Sequence, residues 1–341
     1  MPLISIAELL SASIVALQGQ GFSRELAAEI AEEFVVSELT GTKTHGVGKL
    51  GSLQFGDLAA KPDIVEYGAV ISVDGNGGNG FLLFRQIAEL VCERCSAMGV
   101  VAAFVHNFSR YSSLYPYTVR LAQRGFVGIL ANTAGPAAVG PFGSVDPITG
   151  TNPICFSFPT PSGVPQTFDF ATSEVVWGEI RQATLEGRGL VSGPFLSSAG
   201  DVTTAPSEVD AVRAFGGRRG WALNLPIEML AGPLAGGRAG LDVKSEFDCG
   251  AFLIGIDPIA ARAGRSGFAH QVGTLLDSIR ASRPESGNGN VRCPGDRGRS
   301  SVDINEHLSE QNQIPETILQ MMDRMSKGEK VSELAANRLF N

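Results

Sequence analysis

His45 is the side chain best suited to chemistry here. It lies between glycines in the polar stretch Gly41–Leu50, and an imidazole changes charge near neutral pH. That suits it to give up a proton while a hydride reduces C=O or C=N; the same residue type also serves as a structural turn histidine. Lys49 follows four residues later, either as a point charge for a carboxylate or as a solvated cation. Asp169 ends the apolar run Thr167–Asp169. A carboxylate there needs partners, because an unpaired buried charge is costly, which makes it a site residue or a hydrogen-bond hub. Asn132 and the sequence Gly150-Thr151-Asn152-Pro153 fall at strand ends, where α/β proteins place ligands and where glycine lets backbone amides approach a cofactor; ordinary turns use the same residues. Gly216, Gly217, Arg218, Arg219 and Gly220 precede an apolar helical run. Glycines at a helix start with two guanidinium groups make the best phosphate or pyrophosphate site in the chain by residue chemistry.

Two motifs carry less. Gly75–Gly80 matches GxGxxG, but the next strand ends in Val105-His106-Asn107 with no acid for a ribose, so it reads as a glycine-rich strand-to-helix connection. Cys92 and Cys95 form a CxxC inside a helical run with no matching ligand pair elsewhere, so no metal is expected.

These residues need elements to hold them. Apolar periodicity predicts helices over 5–18 and 23–39 with Ser5 and Ser23 as N-caps, an ordered turn over 41–50 leading into another helix, and helices over 81–98, 117–124, 221–235 and 315–327. Strands are expected at 68–74, 99–107, 126–133, 154–159, 167–172 and 251–258, with loops at 184–210 and 283–301. Strand–helix–strand–helix–strand is the α/β order. A chain of 341 residues with 43% hydrophobic and 18% charged residues buries a large core in about two domains. The net charge of −8 with no basic run argues against nucleic acid, and no apolar stretch is long enough to span a membrane. The N-terminus lacks a basic region and is interrupted by Glu8, unlike a secretory signal. Five scattered cysteines suit a reducing compartment, so a cytoplasmic location is expected.

Several segments together resemble the malate/L-lactate dehydrogenase type 2 family of NAD(P)-dependent oxidoreductases: Thr44-His45-Gly46-Val47, Asn132-Thr133, Gly150-Thr151-Asn152-Pro153, Asp169-Phe170-Ala171-Thr172-Ser173, Phe215-Gly216-Gly217-Arg218-Arg219-Gly220 and Pro294-Gly295-Asp296. They stand in family order over roughly residues 5–300. Ser112-Ser113-Leu114-Tyr115-Pro116 and Phe168–Ser173 look closest to the Δ1-piperideine-2-carboxylate/Δ1-pyrroline-2-carboxylate reductase branch. The resemblance implies an α/β fold with a mixed, non-Rossmann NAD(P)-binding sheet plus a helical N-/C-terminal domain. It implies a homodimer and an active site between a substrate and dimerisation domain, 1–115 completed by 286–341, and a cofactor domain, 116–285.

It also implies roles. His45 is the family's proton donor, and Thr44 stands where the family usually has serine, its hydroxyl orienting the imidazole or meeting the substrate. Lys49 stands where the family usually has arginine, and Arg110 where it commonly has a second histidine. An arginine cannot shuttle protons but can grip a carboxylate bidentately, so Arg110 is expected to take over a role weakened at Lys49. His106, upstream of it, is either a replacement for the missing histidine or an ordinary strand-end residue. Asn132, Gly150, Thr151, Asn152, Phe168, Asp169, Phe170, Arg218, Arg219, Gly295, Asp296 and Arg297 are expected around the cofactor, NADPH slightly preferred over NADH. The activity implied is reduction of a small cyclic imine carboxylate or 2-oxo acid. The alternatives are a 2-hydroxy acid dehydrogenase acting on malate, lactate or ureidoglycolate-like substrates, and a family member that binds dinucleotide with its catalysis altered.

Overall fold

Ser5 and Ser23 begin the first two helices as the sequence predicts. In a computed structural model, which describes residues 1–286, 289–296, 298 and 302–330 without the side chains of Leu185 and Glu186, Ser5 closes a capping box with Glu8 and Ser23 accepts from the Leu26 N–H. A short strand β1 (Leu3–Ser5) leads into α1 (Ile6–Gly19) and α2 (Arg24–Leu39). The segment after α2 forms two 3-10 turns, Lys43–His45 and Val47–Ser52, in place of the α-helix expected there. Glycines 46, 48 and 51 lie within it and give it little helical preference.

The chain continues through β2 (Asp63–Tyr67), β3 (Val70–Gly78), α3 (Gly80–Met98), β4 (Val100–Phe108), α4 (Tyr115–Gln123), β5 (Val127–Asn132), β6 (Ile154–Phe158), β7 (Gln166–Phe170), α5 (Trp177–Glu186), β8 (Phe195–Ser197), β9 (Val209–Val212), α6 (Arg218–Ala231), β10 (Gly250–Ile256), α7 (Pro258–Ala261), α8 (Phe268–Arg280), β11 (Gln311–Gln313) and α9 (Glu316–Ser326). Several of these correct or extend the sequence reading. α5, β8 and β9 occupy the expected loop 184–210 and its approach, being too short to show a period. α8 was not anticipated; only Leu276 on it is buried. The helix expected at 221–235 starts at Arg218, so both arginines sit in its first turn, and it stops before Gly232-Pro233.

The main sheet has seven strands in the order β2-β3-β4-β10-β5-β6-β7. Only β3 and β4 pair in parallel; every other pairing is antiparallel. Strands from both sides of residue 115 share it. On one face Val101, Ala103 and Val105 meet the buried side of α3, including Ile87, Val91 and Cys95, and the core extends to α1, α2 and α9. On the other face Ala131, Ile154 and Phe252 pack with Ile227 and Ala231 of α6. Among the described residues no helix is long and apolar enough to cross a membrane.

The two set-aside motifs are structural. Cys92 and Cys95 are free, buried thiols, and burial pushes Cys95 up to about 11. Within Gly75–Gly80, a Cβ on Gly80 would collide with the Ser109 carbonyl, and one on Gly75 would lie 2.6 Å from the Asn107 oxygen. These glycines let the start of α3 press against the chain leaving β4. The first N–H groups of α3 are taken by Ser109 Oγ and by the Asn79 side chain.

Candidate active site

The antiparallel register brings one edge of the sheet together from distant parts of the chain. Gly250 opposes His106, Ala251 opposes Asn132, Ala131 opposes Ile154, and Ile154 opposes Phe170. The exits of β4, β5 and β7 and the entries of β6 and β10 therefore meet at one edge. A cleft of about 1040 Å³ opens there, facing the 3-10 turns after α2 and the side of α5.

The His45 loop is held from three directions. Val47 and Leu50 are fully buried anchors. Glu38, at the end of α2, accepts the Val47 N–H at 2.9 Å, and a Cβ on Gly46 would collide with the same carboxylate and push it off that bond. From below, α9 packs close enough that a Cβ on Gly48 would lie 2.9 Å from Ile318. Against α5, a Cβ on Gly178 would lie 3.2 Å from the Thr44 Cβ. Within the loop Thr44 Oγ1 is 3.2 Å from His45 Nδ1, which fixes the ring and leaves Nε2 as the second nitrogen. Burial raises the Glu38 carboxyl to about 7, with the Val47 N–H and Lys43 pulling the other way.

Thr44, His45, Lys49, Arg110, Asn132, Thr151, Asp169 and Phe170 all line this one cleft. Asp169 accepts the Tyr115 N–H at 3.3 Å. Asn132 donates to the Thr133 carbonyl, and the Tyr111 hydroxyl reaches its Oδ1 at 3.5 Å. Arg110 donates its guanidinium to the Gly135 carbonyl and its backbone N–H to Glu246, so part of its fork is already engaged. Phe170 stands edge-to-face on Phe215, ring centroids 6.1 Å apart.

Other expected residues sit outside the cleft wall. Asn152 is fully buried at a φ of 35°. Its amide donates to Glu228 at 2.6 Å, and its oxygen accepts the Ala134 N–H. Gly150 passes so close to Ala134 that a Cβ would collide with that carbonyl. Both shape the corner that presents Thr151. Phe168 is half-buried against Phe158. Arg218 and Arg219 are exposed beside Gly216 and Gly217, whose φ values are +55° and +60°. The backbone pairing of Phe215 with Thr172 sets their turn next to the Phe170 wall. Gly295 and Asp296 lie at the other end of β7, where Arg280 holds Asp296 at 2.7 Å and keeps its carboxyl below the usual range. Arg297 lies outside the described residues. His106 is also outside the cleft, with Nε2 3.5 Å from Asp74.

The sequence reading missed Glu38, Arg181 and Gln182, which line the cleft. It also missed Asn224 and Glu228, which hold the Asn152 corner. Asn224 and Glu228 stand four apart, on one face, in a helix that is apolar after its first turn, and both are buried in one polar network. Nothing in the local sequence distinguishes Glu38 or Arg181 from surface charge.

The family model described as malate/L-lactate dehydrogenase matches residues 4–322. A Δ1-pyrroline-2-carboxylate/Δ1-piperideine-2-carboxylate reductase of Pseudomonas aeruginosa is 31% identical over 271 residues, covering 75% of this chain and 81% of its own. An L-sulfolactate dehydrogenase of Methanocaldococcus jannaschii is 30% identical over 284 residues, covering 78% and 81%. The crystal structure of Δ1-piperideine-2-carboxylate reductase from Pseudomonas syringae superposes with a TM-score of 0.77 at 26% identity over 95% of this chain and 100% of that one. The matched segments contain both the His45 loop and the strand edge it faces, and the chain belongs to the malate/L-lactate dehydrogenase family of oxidoreductases.

Proposed function

We propose that this protein is a reductase using NADPH or NADH, NADPH slightly preferred, on a small cyclic imine carboxylate or 2-oxo acid. The observation that carries the reading is the shared cleft. The Thr44–His45 pair, Asp169, Asn132 and Thr151 line it together, with cations in the same walls, which supports the reading. The residues fit a dinucleotide: glycine-shaped backbone at Gly150, the exposed arginines at the α6 start without partners among the described residues, and an aromatic wall at Phe170. The first turn of α6 and the Gly295–Asp296 loop then flank its two ends. The sheet's single parallel pair supports a binding mode other than a Rossmann unit.

When bound, the dinucleotide supplies the hydride to the C=N or C=O carbon. His45 gives the proton to the nitrogen or oxygen, from Nε2, while Thr44 holds Nδ1. Asp169 lines the same cleft and accepts the Tyr115 N–H, which fixes its carboxylate in the wall. Lys49 and the unengaged part of the Arg110 fork hold the substrate carboxylate. Residues 1–115 with 286–341 supply the proton donor and substrate cations, and 116–285, joined by the Gly295–Asp296 loop, the cofactor surface. A cytoplasmic homodimer completes this reading.

The relative named for sulfolactate keeps a 2-hydroxy acid dehydrogenase as the second reading. Steady-state assays with pyrroline-2-carboxylate, pyruvate, oxaloacetate and ureidoglycolate, each with NADPH and NADH, separate the two. His45→Gln is expected to lower reductive kcat about 10²-fold or more with dinucleotide affinity retained. Near-normal turnover in that variant, or no calorimetric binding of either dinucleotide to the wild type, overturns the reading.

A further inference from the structure

Arg181 is the one cleft side chain whose charge the described protein leaves without a complement. It projects from α5, which the sequence did not reveal, and it lines the cavity. Its Nε is shielded from solvent and has no hydrogen-bond partner. Burial alone displaces its pKa, downward, and no carboxylate opposes the shift. Arg85 shows the ordinary solution for a desolvated guanidinium in this fold, held at 2.9 Å by Glu29 and 2.6 Å by Glu33. A desolvated cation without a partner costs stability, so the arrangement makes sense when the anion arrives with a ligand.

The position says which ligand. Gly178, one turn before Arg181, abuts Thr44, so Arg181 stands on the wall that carries His45. The exposed Arg218–Arg219 turn lies beyond Phe170 and Phe215 on the sheet wall, and Lys49 and Arg110 are already assigned to the carboxylate next to the reacting carbon. We propose that Arg181 binds a second anionic group of the substrate, a carboxylate, sulfonate or phosphate remote from the reacting carbon, so that the preferred substrate is a dianion. A planar fork suits such groups because it donates two parallel hydrogen bonds. This rests on the reductase reading above and narrows it to its oxo-acid half, since the simple cyclic imine carboxylates carry only one anionic group.

The test compares wild type with Arg181→Gln, using oxaloacetate as the dianion and pyruvate as the monoanion. The variant should lose about 10- to 100-fold in kcat/KM for oxaloacetate, the scale of charge-assisted hydrogen bonds, and change about twofold or less for pyruvate. Arg181→Lys should restore part of the loss. The ligand-free variant should melt at the wild-type temperature or above it, because an unpaired charge has been removed; a merely structural arginine gives the opposite. Equal losses on both substrates would assign Arg181 to the reacting carboxylate, and a raised dissociation constant for NADPH would assign it to a cofactor phosphate. Either result overturns the proposal. If wild type turns over neither keto acid, the reductase reading is what has failed for this class. Calorimetry with malonate against acetate then decides the subsite on its own: tighter malonate binding that Arg181→Gln abolishes supports it, and equal binding refutes it.

Discussion

Glu38 shows how much of this site is decided by single atoms. Its carboxylate takes the Val47 N–H two residues beyond His45, yet it is only 8% exposed. Burial lifts its pKa from an ordinary 4.5 to about 7. A carboxyl raised in the native state favours folding in its protonated form. That contribution is complete below about pH 4.5 and is lost as pH rises to about 7. Glu38→Gln keeps an acceptor for Val47 and removes the titration. Its stability relative to wild type should grow across that window by up to about 3 kcal/mol and level off above it. Urea unfolding at a series of pH values measures this, and a difference independent of pH would refute the buried charge. His45, Thr44 and Asp169 were legible in sequence because residue type and ordered spacing carry them. Glu38 and Arg181 were not, since a charge becomes informative only once folding has removed its solvent.

At the scale of elements, the corner between β5, β6 and α6 is built around one side chain. Asn152 accepts from Ala134 and donates to Glu228. Asn224 bonds Thr149, the Gly150 carbonyl and Thr172 in the same network. Asn152→Ala leaves the Glu228 carboxylate and the Ala134 N–H short of partners in a buried place. The expected cost is about 2–4 kcal/mol, because unsatisfied buried groups pay their full desolvation. Equilibrium denaturation should show it, with Asn152→Asp also destabilised by a second carboxylate facing Glu228; a cost under about 0.5 kcal/mol would mean the network is dispensable. The Gly-Thr-Asn-Pro motif was readable as a strand-end turn, but its division of labour was not. Thr151 faces the cleft while Asn152 faces inward, a split set by the left-handed backbone at Asn152. Capped helices such as α1 and α2 were legible from their serines. α5 was not, because among its described side chains only Ile180 and Ala183 are buried, too few for a helical period to stand out.

The whole molecule sets a field that these residues share. The chain carries a net charge of −8, yet Lys43, Lys49, Arg110 and Arg181 line the cleft against Glu38 and Asp169. Near neutral pH Glu38 is itself partly protonated, which tips the cleft further toward positive. A low-dielectric concavity of net positive charge focuses the field on its mouth, while the acidic exterior repels anions elsewhere. Capture of a carboxylate substrate and of a phosphate-bearing cofactor should therefore depend on salt. Raising ionic strength from about 0.02 M to about 0.5 M shortens the Debye length from roughly 20 Å to roughly 4 Å. The expected result is a several-fold fall in kcat/KM for an oxo acid, carried mainly by KM, with kcat nearly constant because the chemistry occurs inside the screened cleft. The fall should be steeper for oxaloacetate than for pyruvate, since the attraction scales with ligand charge. Arg181→Gln should narrow the gap between the two slopes without closing it, since three of the four cations remain. Parallel slopes already present in the wild type, or a kcat that falls with salt as strongly as kcat/KM, would show that these cations do not act as a common field.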